Sequence, residues 1–539
     1  MQKVVLGKEA REGLFKGVDL LSKVVQTTLG PMGSNVVFDT SYGLSYPVVT
    51  KDGVTVAKNV DSDDPLESMG IRLIRQASQL TNQEVGDGTT TSTVLTNEIV
   101  KAGKDSNQSR YNNISFIEGM KHAQELAEKF IDSQTIDIKN DLDKARQVAY
   151  ISANNDKVIG DLVAEAYSQV GPYGSIGVQP SKTGKNYIEY QKGLEFNSGV
   201  PAIQFLQLDK PQTVINDVEI LVTNFEINDI KQVAESAVLN NMLTMGKNIV
   251  LICSDISSEV LMNLLHQRQQ RGLRFTIVKA PNFGASREAF LMDIAILTGG
   301  QMLDGSLGDT LGKVKESDFG TCKSISLSLD KTVIHGGGGT EKAIEERVKY
   351  LKELLDEQGI DDSTKEIFRE RLHKISGGVA EIFIDAVSDV QYEETAFRVK
   401  DAISAVGASF RGGVVSGGGA TLLKASDYVQ KNLSDWYKEN ESSYKGAMAV
   451  VLALVSPFKH ILLNAGMNPA EWGESVLKEF YKGNTHGGVD VLHTELGVVD
   501  LVERGIIDPA LVTKSAVRNA IRMAGILLTT SSAIITTGS

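Results

Sequence analysis

Cysteine is nearly absent: Cys253 and Cys322 are the only two in 539 residues. They have no metal-ligand spacing and cannot build a disulfide framework, which excludes a small stapled scaffold and points to a reducing compartment. The chain also lacks any continuous apolar run approaching the ~18–20 residues needed to span a bilayer. At its start it carries only the short apolar run Val4–Leu6, far short of a signal segment. It is therefore read as a soluble, cytoplasmic protein with no membrane partner. Positive charge is in deficit, with 55 Lys and Arg against 68 Asp and Glu and a net charge of −13. That balance argues against nucleic acid as the main partner. A Walker sequence G-x-x-x-x-G-K-[ST] is missing too, which sets P-loop enzymes aside. No short-period repeat or low-complexity tail is present.

The length implies several domains, and 41% hydrophobic residues suffice for several cores. The first ~130 residues read mostly as helices. Leu66, Met69, Leu73, Ala77 and Leu80 recur at spacings of three and four, the buried face of one long helix. Asn35–Phe38 and Pro47–Thr50 read as the strands of a hairpin. After a mixed stretch from Thr135 to Gln191, strand-like Val218–Thr223, Ile249–Cys253 and Phe275–Val278 alternate with helical patterns such as Val260–Gln270, an α/β domain. It ends in a charged helical pair, Glu341–Gln358 and Ser363–Ser376. Helices with apolar faces return beyond Gly412, and Ala533–Thr537 closes the chain as a strand. Helical first and last segments thus bracket an inserted α/β domain.

Gly86-Asp87-Gly88-Thr89-Thr90-Thr91 opens a helix after the long amphipathic one. Glycines let the backbone approach phosphate oxygens, and the free N–H groups of a helix start attract negative charge. A carboxylate beside a polyphosphate needs a cation between them, so Asp87 reads as a Mg²⁺ ligand. A capped helix start after a tight turn is the plainer alternative. Thr28-Leu29-Gly30-Pro31 offers a second tight loop or a mere helix stop, and Lys51-Asp52-Gly53 a further carboxylate or a mere turn. Ser416-Gly417-Gly418-Gly419 is a third glycine-rich helix start or a linker. Asp401 stands in a helix, Thr395–Phe410, with apolar face Ala396, Val399, Ala402, Ile403 and Val406. It is either a site residue or a surface partner of Arg398.

In order along the chain these segments resemble the chaperonin family, in its GroEL-like group I branch, from about Lys3 to Thr530. The resemblance rests on T-L-G-P-M-G (Thr28–Gly33), T-K-D-G-V-T-V-A (Thr50–Ala57), G-D-G-T-T-T-S-T-V-L (Gly86–Leu95) and I-S-A-N-N-D (Ile151–Asp156). K-A-P-N-F-G (Lys279–Gly284), D-I-A-I-L-T-G-G (Asp293–Gly300), R-V-K-D-A (Arg398–Ala402), S-G-G-G (Ser416–Gly419) and G-I-I-D-P (Gly505–Pro509) extend it. It implies a multidomain α and α/β chaperonin fold. A mostly helical equatorial ATP-binding domain would be built from residues 1–134 and 412–539. A small intermediate hinge domain would take residues 135–191 and 379–411, and an α/β apical substrate-binding domain residues 192–378.

The resemblance also implies roles. Thr28, Leu29, Gly30, Pro31 and Gly86 to Thr91 would wrap the phosphates of ATP, with Asp87 on Mg²⁺ and backbone oxygens of Thr28 and Lys51 on K⁺. Ile151, Gly417, Gly418, Asp490, Val491 and Asp508 would line the base and ribose. Asp401 would act on the attacking water, arriving from another domain, with Asp52 helping to position it. Val200, Phe205, Val238, Leu261, Leu264 and Leu265 would offer an apolar groove to non-native client proteins. Subunits would form a seven-membered ring, single or double. The stretch Ile230–Gly272 has no room for a built-in lid, so closure would need a GroES-like co-chaperonin ring.

Some positions depart from the family pattern. Gln204 and His266 make the groove more polar, while Lys459 and Asn468 replace a pair expected across rings, making a single ring a live alternative. The chain stops at Ser539 without a Gly-Gly-Met tail, and the Gly488–Val502 loop differs in length. A ring scaffold with little dependence on ATP cycling is the competing reading, and the joint presence of Asp52, Asp87 and Asp401 counts against it.

Overall fold

The computed structural model describes residues 2–39, 47–51, 53–106, 113–138, 141–153, 155–171, 174–191, 193–207, 212–357, 362–433 and 440–536. The chain divides into two compact units, Met1–Ala164 with Ala386–Ser539, and Glu165–Asp385. Segments expected in an intermediate domain are shared between them: 135–164 and 386–411 fall in the first, 165–191 and 379–385 in the second. The hairpin loop 40–46, Gln358 and Thr537 lie outside the described residues.

The first unit is a helical body around one large apolar core. Its helix Pro65–Val85 shows how sequence sets an element. The Asp64 carboxylate accepts from the N–H groups of Leu66 (2.8 Å) and Glu67 (3.1 Å), and Pro65 takes the first helical position, where no N–H is needed. Ile71, Ile74 and Ala77 are fully buried and Leu66 nearly so, with Met69 and Leu73 packed at their edge. The buried face is therefore turned slightly from the stripe read off the sequence. Gly86, at φ +72°, closes the helix in a left-handed turn.

Two helix crossings are set by reciprocal glycines. A Cβ on Gly17 would stand 1.9 Å from the Glu67 carbonyl oxygen, and one on Gly70 2.0 Å from that of Leu14. In the same way, Gly119 would meet the Ser443 oxygen at 1.8 Å and Gly446 the Phe116 oxygen at 1.9 Å. Backbone therefore touches backbone where helices Gly7–Val25 and Pro65–Val85 cross, and again where Asn113–Ser133 meets Glu441–Leu454. Segment Glu441–Asn464, of mean hydropathy 1.8, is the one stretch among the described residues long and apolar enough to span a bilayer. It is two helices meeting at Val455, and Ala447, Val450, Val451 and Leu454 lie in the core. Short antiparallel pairings complete the unit. The chain ends pair through Gln2–Leu6 and Ser532–Thr536, and Val36–Phe38 pairs with Val48–Thr50 as the sequence predicts. Val414–Ser416 lies on Ile507–Pro509, and Gly487–Val489 on Val498–Asp500.

The second unit is built on a seven-stranded sheet. Its strand order is Gly193–Phe196, Thr332–Gly337, Gly320–Leu327, Thr213–Thr223, Asn248–Cys253, Phe275–Lys279, with Met302–Leu303 also pairing with Thr213–Thr223. Thr213–Thr223, Asn248–Cys253 and Phe275–Lys279 run parallel, joined through helices such as Ser258–Arg271. Their near-continuous apolar runs suit burial on both faces. Val379–Ile384 is the central strand of a separate three-stranded sheet with Ser175–Pro180 and Tyr187–Gln191. The charged helices Glu341–Asp356 and Asp362–Gly377 dock through Arg347 and Arg371, whose Nε atoms each lie 2.7 Å from the buried Asp293 carboxylate. No added helical protrusion interrupts residues 230–272.

Candidate functional site

The loops singled out in the first unit converge on one cleft of about 620 Å³. Helix Gly7–Val25 tightens into the turn Gln26–Thr28, whose Thr28 hydroxyl donates to the Val25 carbonyl at 2.8 Å. Asn464 Nδ2 then donates to the carbonyls of Gln26 (3.0 Å) and Leu29 (2.9 Å), pinning the loop from behind. Lys51 Nζ donates to the Pro31 carbonyl at 2.9 Å, and burial lowers its pKa. Thr28, Leu29, Gly30, Pro31 and Lys51 all line the cleft.

Opposite them, Gly86 ends one helix and Gly88, at φ +82°, sets up the next, Thr89–Ser106. A Cβ on Gly88 would sit 2.6 Å from Val512 Cγ1, so both backbone conformation and space require glycine there. Asp87, between them, accepts from the Gly88 N–H at 2.5 Å through Oδ1 and from the Ser152 hydroxyl at 3.3 Å through Oδ2. The first N–H groups of the helix that begins at Thr89 have no partner within the helix, leaving a positive helix end at the cleft. Asp87, Gly88, Thr89, Thr90 and Thr91 line it; Gly86 does not.

Helix Asp389–Gly412, started by the Ser388 hydroxyl, carries Asp401 to the same cleft. Ala396, Val399, Ala402 and Val406 are buried beneath it and Ile403 is half-buried. Arg398 turns to Asp156 (3.2 Å) and Glu394 (3.5 Å). Asp401 was expected to arrive from another domain; here its helix belongs to the same compact unit as Asp87. Asp508 stands opposite Val415 in a strand pair, and burial, with the Asp87 carboxylate adding to it, pushes its carboxyl up to about 7. Gly418 lines the cleft, whereas Gly417 lies behind, where a Cβ would come within 2.9 Å of Asp508 Oδ1. Ile151, Asp490 and Val491 complete the predicted set. Asp490 is only 5% exposed and pinned, with Oδ1 accepting from the Leu492 N–H (3.1 Å) and Oδ2 from Arg504 (2.8 Å). Asp52 lies outside the described residues.

Sequence reasoning missed several lining residues. Ser152 and Asn155 sat inside a quoted motif without being assigned, and Gly53 followed Lys51-Asp52. Gly53 packs so closely on Thr90 that a Cβ would fall 2.0 Å from its Oγ1. Arg504 carried no local signal, because only the fold brings it to Asp490.

The second unit corrects the expected client groove. Val200, Phe205 and Leu264 are buried in its core. Phe205 lies under Arg268, whose guanidinium carbon is 5.3 Å from the ring centre. These three side chains are taken up by the unit's own core rather than left for a partner. Val238, Leu261 and Leu265 are partly buried, while Ile203 (63% exposed) and Met262 (66% exposed) face outward on the same elements.

The description "TCP-1/cpn60 chaperonin family" fits residues 21–538 of the chain. The chain belongs to that family. It is an ATP-dependent chaperonin, and ring formation and binding of non-native proteins follow from membership. Among solved structures, the chaperonin gp146 from the bacteriophage EL 2 (Pseudomonas aeruginosa), in the presence of ATP-BeFx, is similar in two crystal forms. In crystal form II it aligns at a TM-score of 0.77 with 20% identity over 99% of each chain. In crystal form I the TM-score is 0.69, again at 20% identity and 99% of each chain. The chaperonin fold, helical in one part and α/β in another, is thus the one the sequence predicted.

Proposed function

We propose that this chaperonin hydrolyses ATP in the cleft of its first unit and couples the cycle to folding of bound client proteins. What supports this most is the convergence on one cleft of Asp87, Asp401 and an open helix start. Thr28 to Pro31 and Asp87 to Thr91 wrap the phosphates, with the backbone N–H groups and hydroxyls of Thr89 to Thr91 at the helix start as the donors. Among the described residues no cluster of three acidic, histidine or cysteine side chains could hold a metal alone. That suits Mg²⁺, which is commonly held by one or two carboxylates together with phosphate and water oxygens. Asp87 would hold it, and when bound it neutralises the charge on the phosphates. Backbone oxygens of Thr28 and Lys51 would take a K⁺ ion.

Asp401 is the general base. It accepts the proton of the attacking water as the water oxygen bonds to the terminal phosphorus and the bond from that phosphorus to the bridging oxygen breaks, with ADP leaving and Asp52 helping to hold the water. Asp490, Val491, Ile151, Gly418 and Asp508 border the base and ribose. Burial first, and then the Asp87 carboxylate, raise the Asp508 pKa, so a cation bound beside them would lower it again.

Clients bind on the second unit, through Leu261, Leu265 and Val238 with Ile203 and Met262 added; each apolar side chain buried contributes on the order of 1.5–3 kcal/mol. The subunits form a seven-membered ring in the cytoplasm and close with a separate co-chaperonin. An ATPase assay with and without unfolded protein tests the reading. Turnover that changes when client is added supports it; no turnover in either condition would leave a passive scaffold.

A further inference from the structure

Lys424 is a buried cation that the proposed mechanism does not use. It lies in helix Ala420–Asn432, just after the Gly417–Gly419 loop, and is only 1% exposed. Its one hydrogen-bond acceptor among the described residues is the Thr485 carbonyl, 3.0 Å from Nζ, and the Phe480 ring centre lies 5.8 Å away. A scaffold needs no charge there, because an apolar side chain of similar volume fills such a site at no desolvation cost. The adjoining residue is gripped from the other side of the glycine loop: the Ser416 hydroxyl reaches the His486 carbonyl at 3.4 Å. The Thr421 hydroxyl, donating to the Ser416 carbonyl at 2.7 Å, ties the two arms of the loop together. Thr485–His486 leads directly into the strand Gly487–Val489, which delivers Asp490 and Val491 to the cleft.

We infer that Lys424 is a positioning residue for nucleotide binding: with Ser416 it clamps Thr485–His486 against the glycine loop and so sets the spacing between Gly418 and Asp490. The inference rests on the nucleotide reading of the cleft. Burial supports it by lowering the Lys424 pKa to about 8, opposed by Asp500 across the hairpin. His486 is the titratable ring on the clamped segment, with Nδ1 3.5 Å from the Ser416 hydroxyl. A charge-assisted hydrogen bond is stronger than a neutral one, so the clamp loosens as pH rises past the lysine pKa.

The test is steady-state ATP turnover by the full-length protein, wild type against Lys424→Met and Ser416→Ala, from pH 6.5 to 9. Lys424→Met is expected to raise KM for ATP roughly tenfold or more with kcat within about twofold, the loss typical of one charged hydrogen bond. Its KM should lack the wild-type rise above pH 8. Ser416→Ala should raise KM by a smaller factor and decides the matter if Lys424→Met does not fold. Wild-type KM and pH profile in the folded variants would overturn the clamp, even if their thermal stability fell. Absence of ATP turnover and ATP binding in the wild type would instead overturn the nucleotide reading.

Discussion

Asp401 and Asp87 show how much hangs on single carboxylates in this chaperonin. Both line the cleft, yet they come from segments far apart in the chain, and only one stands at a helix start. The proposed roles separate in experiment. Asp401→Ala should keep ATP binding and slow turnover by roughly 10²–10⁴-fold, the weight of a positioned general base; nucleotide affinity measured beside single-turnover hydrolysis checks it. A second acid gives a pH prediction. Glu381, on the central strand of the three-stranded sheet, is buried and its carboxyl is pushed up to about 7 by burial, with Glu195 and Glu189 raising it further and Lys331 and Gln179 opposing. His335 Nε2 lies 3.8 Å away, and burial lowers its pKa. An acid whose pKa is raised on folding binds more protons in the folded state between its unfolded value and about pH 7. Stability therefore falls as pH rises through that window. Glu381→Gln should be the more stable form at pH 8, by on the order of 2–3 kcal/mol, and lose that advantage as pH falls to about 4. Hydrogen exchange of strand Val379–Ile384 at both pH values reads this out.

At the scale of elements, periodicity and caps were legible and cross-chain packing was not. Val36–Phe38, Thr213–Thr223 and Asn248–Cys253 are strands where alternation or apolar runs predicted Asn35–Phe38, Val218–Thr223 and Ile249–Cys253. The glycine-rich starts were visible because glycine at a left-handed turn has a local signature. By contrast, Arg504 beside Asp490 and Ser152 beside Asp87 depend on contacts that no local pattern encodes. Part of the groove was misread for a related reason. A leucine at i, i+3, i+4 marks an apolar face but does not say whether the body's own core or a partner covers it, and Leu264 went to the core. The reciprocal glycines Gly119 and Gly446 were likewise silent in sequence, yet each faces a carbonyl oxygen closer than 2 Å to where its Cβ would stand. Gly119→Ala or Gly446→Ala forces the helices apart and should destabilise the first unit by about 1–3 kcal/mol or more. A lowered melting temperature checks this, and an unchanged one would mean the helices can separate without loss.

At the scale of the whole molecule, the described chain holds the cleft proposed for nucleotide in one compact unit and a sheet-based body with exposed apolar side chains in the other. Family membership makes the assembly a ring; seven-fold symmetry and response to nucleotide are the proposed refinements. Electron microscopy of the purified protein with and without ATP tests that account most directly. The account predicts seven-fold rings whose subunits change conformation when ATP is added. Particles that stay monomeric in both conditions would contradict it.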